Sequence, residues 1–177
     1  MHPTTISLHQ LFHGPVEARQ HLAKELYQKY GAAMLLDENL CEDIEQLKEF
    51  ALLLSRHMAE LGMGEQCSRC AAGIGGGCCS LYMAGETDSI QMLMNMLAGV
   101  TVRQVRSDGV ECCYLEDRGC LFTVKPIFCL NYNCKTILAS ISPENSRELE
   151  RFSGKLLGKQ YEVEQKLLKF IKTMKNM

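Results

Sequence analysis

Apolar positions recur at helical spacing on both flanks of the chain and lose that spacing in the middle. Over residues 41–61, Ile44, Leu47, Ala51, Leu54, Met58 and Leu61 recur at steps of three and four, the stripe of one helical face. Glu42, Asp43 and Glu45 sit in its first turn, where the helix dipole favours anions, and Gly62 and Gly64 end it. Residues 15–30 predict an earlier helix, with Pro15 suited to the first position and Gly31 just past the end. Residues 89–98 predict a third, capped by Thr87 or Asp88, whose Met and Leu content reads as adaptable core. Pro126 opens a fourth that runs to about Ile141, and Ser142-Pro143-Glu144 starts a fifth over residues 143–172. Along the fifth, Leu149, Phe152, Leu156, Val163, Leu167, Phe170 and Met174 form a near-heptad stripe. It reads first as a long helix lying across the domain, and second as a seam for a protein partner or self-association. Lys166, Lys169, Lys172 and Lys175 line the rear of that helix as a solvated face.

The middle has a different texture. Residues 63–80 are rich in cysteine and glycine and show no period. Val100, Val102 and Val105, the turn Ser107-Asp108-Gly109, residues 110–115 and residues 121–124 predict short strands. The expected fold is mainly α with a small irregular β element, helices flanking a cysteine-rich segment. Its expected organisation is a single domain over 1–177, with a helical part at 1–64, a cysteine-cluster segment at 65–134 and a C-terminal helix at 135–177. A chain of 177 residues, 46% hydrophobic, is long enough for one real core.

Charge narrows the function classes. The net charge of −2 argues against nucleic acid as a main partner. Residues 1–100 carry 6 Lys and Arg against 12 Asp and Glu, and residues 101–177 carry 13 against 9, so the two parts can attract each other. No apolar run approaches the roughly 20 residues of a membrane span, and the N-terminus lacks the basic and apolar regions of a signal peptide. The pattern predicts a cytoplasmic protein with reduced thiols.

Ten cysteines then become the outlying feature, nine of them between Cys67 and Cys134. A first cluster holds Cys67-Ser-Arg-Cys70, a Gly-rich spacer and Cys78-Cys79. A C-x-x-C turn can aim two thiolates at one metal, and glycine amides can approach sulfur closely. A second cluster holds Cys112-Cys113, Cys120, Cys129 and Cys134. Cys129 and Cys134 are five apart, a poor helical pair, so for both to ligate the chain must unwind between them or the two must serve different metal atoms. Four thiolates satisfy either one zinc ion or one four-iron cluster. The set can therefore serve two sites, or one site with bystanders.

This order of residues resembles the YkgJ-type cysteine-cluster family, described as zinc- or iron-chelating. The matching elements are Cys67 with Cys70, Cys78-Cys79, Cys112 with Leu115, Cys120 with Phe122, Lys125-Pro126, Cys129, Tyr132 and Cys134, so the resemblance covers residues 67–134. It implies metal binding by Cys67, Cys70, Cys78, Cys79, Cys112, Cys120, Cys129 and Cys134, and leaves Cys41 and Cys113 as extras. The chain departs from the family at Lys125 and Leu130, where arginine is usual, and in its longer spacer after Cys70. Lysine does not replace a planar arginine pair.

Other readings lack context. Cys67-x-x-Cys70 follows no apolar strand, which a thioredoxin-like site needs. Gly73 to Gly77 lacks the Gly-Lys-Ser/Thr of a phosphate loop. The five histidines, at 2, 9, 13, 21 and 57, all precede the cysteine block. His9 and His13 can share a helical face but read as surface residues, and His57 as a satisfied helix residue. All-thiolate ligation in excess of one structural zinc favours an iron–sulfur cluster, a 4Fe-4S centre for redox or accessory use, with a zinc-binding structural module as the alternative.

Overall fold

The computed structural model describes residues 7–73, 77–131 and 134–175. His2, the stretch 74–76, Tyr132, Asn133 and the Lys175 side chain lie outside the described residues. The fold is mainly α with one small two-stranded sheet. Its helices are α1 (Leu8–Phe12), α2 (Val16–Leu36), α3 (Glu38–Glu60), α4 (Met63–Ala71), α5 (Leu81–Ala84), α6 (Ser89–Leu97), α7 (Ile127–Asn131), α8 (Lys135–Ser140) and α9 (Pro143–Lys175). Strands β1 (Leu115–Glu116) and β2 (Gly119–Cys120) pair antiparallel between α6 and α7. None of these helices is long and apolar enough to cross a membrane.

The strong periodic segments form helices, with shifted ends. The stripe of α3 buries Leu40, Ile44, Leu47, Ala51 and Leu54, and Asp37 caps the helix by accepting from the Leu40 N–H at 3.0 Å. The start thus lies before residue 41, because the cap is Asp37. Helix α2 does not stop at Gly31. It continues to Leu36, since Gly31 lies inside the packing and Met34, one turn on, is fully buried. Residues 7–12 add α1, whose capping box pairs Ser7 with Gln10 in both directions.

Larger departures fall in the middle. Residues 63–71 are helical, so Cys67 and Cys70 stand on α4 rather than in a turn. Gly62 makes this possible: its φ of 64° closes α3 and its position caps α4. Of the expected strands, the 100–105 and 121–124 stretches form none, and 110–115 contributes only Leu115, in a hairpin of 115–116 with 119–120, and Glu111, in an isolated bridge to Ser80. The 100–106 stretch forms no ladder; the Val105 N–H donates to the Cys113 carbonyl at 2.6 Å, and side chains add to that tie. Gln20 donates to the Val102 carbonyl at 3.1 Å, and Arg106 donates to the Leu115 carbonyl at 2.6 Å while pairing with Glu111 and Asp117. The expected helix from Pro126 to Ile141 is two helices, α7 and α8, with Cys134 extended at the start of the second.

Packing is organised around α6. All of its residues but Gln91 are buried. Ile90, Leu93, Met94 and Leu97 join the main core with α2, α3 and α9, whereas Met92 and Met96 join a second core with Tyr114, Phe122, Val102 and Cys113. The Tyr114 and Phe122 rings lie 4.4 Å apart there. The α9 stripe is covered within the chain: Leu149, Leu156, Val163, Leu167 and Ile171 are buried, and α9 lies along α3.

The opposite charges of the two parts meet on that same face. Asp43 of α3 is buried and paired with Lys159, at 3.2 Å, and with Lys166 of α9. Lys166 is therefore an ion-pair partner and not simply a solvated residue. Burial pushes the Asp43 carboxyl upward, but hydrogen bonds from Lys166 and Lys159 more than offset it, leaving a value below the ordinary one. A depressed carboxylate stabilises the fold above its unfolded value of about 3.9, and that contribution is lost as pH falls through the folded value. Urea titrations should show Asp43→Ala losing about 2–3 kcal/mol at neutral pH, less than a fully enclosed pair because Lys166 stays half exposed. The deficit should shrink below about pH 4. A pH-independent deficit would contradict the ion-pair account.

Candidate functional site

Backbone hydrogen bonds stitch the two cysteine clusters together. The Cys112 N–H donates to the Cys79 carbonyl at 2.9 Å, and the Leu81 N–H to the Val110 carbonyl at 2.9 Å. Leu115 pairs with Cys120 in the hairpin, which turns the second cluster back on itself. Helix α4 is tied to the hairpin by Ser68, whose hydroxyl donates to the Glu116 carbonyl at 3.0 Å. Gly64 allows the approach: a Cβ there would stand 2.2 Å from the Arg118 carbonyl oxygen.

These contacts enclose a cavity of about 170 Å³ lined by Cys67, Cys79, Cys112, Cys120 and Cys129. The five thiols come from α4, the stretch before α5, the loop before β1, strand β2 and α7. Met58, Met63, Met83 and Leu115 supply an apolar wall, and Lys125 and Arg118 supply the cations. Among the described residues, no carboxylate or imidazole lines this cavity. Cys78 stands beside it, with the Cys79 thiol within hydrogen-bonding reach of both Cys78 and Cys67. All ten cysteines are free thiols, with no disulfide.

The thiols fall into two electrostatic groups. Hydrogen bonding from Cys79 lowers Cys78 to about 6 and also lowers Cys67, while Cys79, as donor to both, is held far above its ordinary value. Burial raises Cys112 and Cys129 to about 12 and also raises Cys120. The first group is prepared to carry charge. The second is held neutral by burial.

Six of the eight sequence-selected cysteines thus share one neighbourhood. Cys70 is exposed on α4 with its sulfur against Gly77, and Cys134 packs partly buried against the main core; neither lines the cavity. Cys113 is core beside Tyr114, and Cys41 sits in the first turn of α3. Among the described residues, no three Cys, His, Asp or Glu side chains converge closely enough to hold a single metal ion. The thiols ring the cavity rather than meet at a point. Their chemistry suits a thiophilic metal, since they are soft and free of disulfide bonding. His57 is held by the Asn145 carbonyl at 3.2 Å and by the edge of Phe152, away from the cavity. The rings of His9 in α1 and His13 just past its end are exposed and stack with centroids 4.4 Å apart.

The residues that sequence reasoning missed are amides. Asn95, fully buried, donates to the Val124 carbonyl at 2.8 Å and accepts from the Val124 N–H at 3.0 Å. Gln91 donates to the same carbonyl at 2.7 Å, and Gln160 of α9 donates to the Lys125 carbonyl at 2.8 Å. This clamp fixes the strand of chain that delivers Lys125, Pro126 and then Cys129. The available signal was polarity out of place: Asn95 within Met94-Asn95-Met96, and Gln160 where the α9 stripe calls for an apolar residue.

Two substitutions test this construction. Asn95→Ala leaves the Val124 N–H without its partner and should cost about 2–3 kcal/mol of unfolding free energy. Gly64→Ala should push α4 off the hairpin and raise the rate of iodoacetamide labelling at Cys67 and Cys120, read by peptide mass spectrometry. Unchanged labelling would show that the α4–hairpin contact does not shield these thiols.

Comparison with known proteins adds no relative: no family model matches the chain, and no curated protein or solved structure matches it.

Proposed function

We propose that the protein holds an iron–sulfur centre in the thiol cavity, for redox or accessory use. The observation that carries this reading is the ring of five thiols from five separate stretches, with a sixth beside it, around one small apolar cavity. Ordinary packing scatters cysteines singly through a core, as Cys113 is placed here. A single zinc ion requires four ligands converging at about 2.3 Å from one point. A polynuclear cluster takes its thiolates from around its perimeter, which suits sulfurs spread about a cavity. The resemblance of residues 67–134 to the YkgJ-type family favours metal binding in the same direction.

Four of Cys67, Cys79, Cys112, Cys120 and Cys129 are the proposed ligands, with Cys78 adjacent. When bound, such a centre supplies one-electron transfer chemistry. The chain's own part is to present the sulfurs and to line the cavity with the apolar side chains of Met58, Met63, Met83 and Leu115. Because ligand sulfurs come from α4, the hairpin and α7, binding is coupled to the order of residues 65–134.

Anaerobically purified protein should be brown, with broad visible absorption and with iron and acid-labile sulfide in comparable amounts. Cys67→Ser, Cys120→Ser and Cys129→Ser should each lower the iron content severalfold, and Cys41→Ser should not. Colourless protein with stoichiometric zinc would replace the iron–sulfur reading, and protein free of any metal would refute the site.

A further inference from the structure

We propose, resting on the metal–thiolate reading above, that Lys125 is the charge-balancing residue of the cavity and sets the reduction potential of the centre held there. Three observations place it in that role. The half-buried Lys125 side chain lines the cavity beside Cys67, Cys120 and Cys129, and no carboxylate shares that lining. Lys125 forms no ion pair among the described residues, whereas Lys159 and Lys166 are both paired with Asp43. Its backbone is held more firmly than a surface lysine requires. Asn95 grips Val124 from both sides, Gln91 reinforces the Val124 carbonyl, Gln160 holds the Lys125 carbonyl, and Pro126, itself buried, restricts the next step.

The consequence is electrostatic. Reduction adds one electron from an external donor and one negative charge to the centre, with no bond or proton change at Lys125. A fixed cation stabilises the more negative state more, and it does so strongly where water is excluded. Lys125 therefore raises the potential, and its removal lowers it. Arg118 also lines the cavity, but it is exposed and water screens its charge, so it serves as the control.

The test is a dithionite titration of the anaerobically purified full chain, with iron and sulfide assayed on the same samples. Lys125→Gln should keep wild-type iron and sulfide, yet need a more negative potential for half-reduction. A tenfold change in the reduced-to-oxidised ratio, about 59 mV for a one-electron couple, is the expected size. Lys125→Arg should restore the wild-type midpoint, and Arg118→Gln should shift it less than Lys125→Gln does. A fully loaded Lys125→Gln with an unshifted midpoint overturns this inference and leaves the iron–sulfur reading intact. Wild-type protein without iron and sulfide overturns both. Should Lys125→Gln fail to load, Lys125→Arg decides: loading with the wild-type midpoint supports the charge role, and a shifted midpoint or failed loading overturns it.

Discussion

The architecture depends on a nine-residue helix with almost no face to water. Helix α6 sends Ile90, Leu93, Met94 and Leu97 into one core and Met92 and Met96 into another. Two apolar clusters that share a helix cannot move independently, because any tilt that relieves one opens a void in the other. The same helix carries Asn95, a buried polar side chain whose cost is met by hydrogen bonds to both backbone groups of Val124. Helix α6 thus links helical packing to the position of the segment that leads to Cys129.

The cysteine region, by contrast, is held by scattered hydrogen bonds from backbone and side chains. Its sheet has two residues per strand, and much of the surrounding chain is fixed by single hydrogen bonds from Gln20, Ser68 and Arg106. Its apolar burial is the small second core around Tyr114 and Phe122, and the thiols have no disulfide to lock them. A bound metal would supply the missing cross-links among α4, the hairpin and α7. Stability and ligand binding would then be two readings of the same sulfur positions.

Much of the fold was legible before any coordinates. The stripes of α3 and α9 are long and regular, and such segments carry their own periodic signal. The mainly helical class with a minor β element follows from them. Boundaries were less legible because they depend on partners. Gly31 reads as a stop, and only the burial of Met34 explains why α2 runs on. Residues 63–71 carry a short helical stripe of Met63, Cys67, Cys70 and Ala71 that cysteine and glycine obscured, and Gly62 turns the chain into this helix while Gly64 lets α4 touch the hairpin. Val100 and Val102 read as strand, but the Val100 N–H closes back on the Asn95 carbonyl and the Gln20 side chain takes the place of a ladder partner at Val102.

The sequence by itself determined the inventory: flanking amphipathic helices, free thiols gathered between Cys67 and Cys134, and a basic-Pro step before Cys129. Those are local properties, written in residue type and spacing. Tertiary structure alone decided which sulfurs share a cavity, setting Cys67, Cys79, Cys112, Cys120 and Cys129 together and leaving Cys70 and Cys134 outside. It also decided that Asn95 and Gln160 act on residues 124 and 125. Such choices arise from hydrogen bonds and packing between segments remote in sequence, and no periodicity within one segment encodes where another will lie.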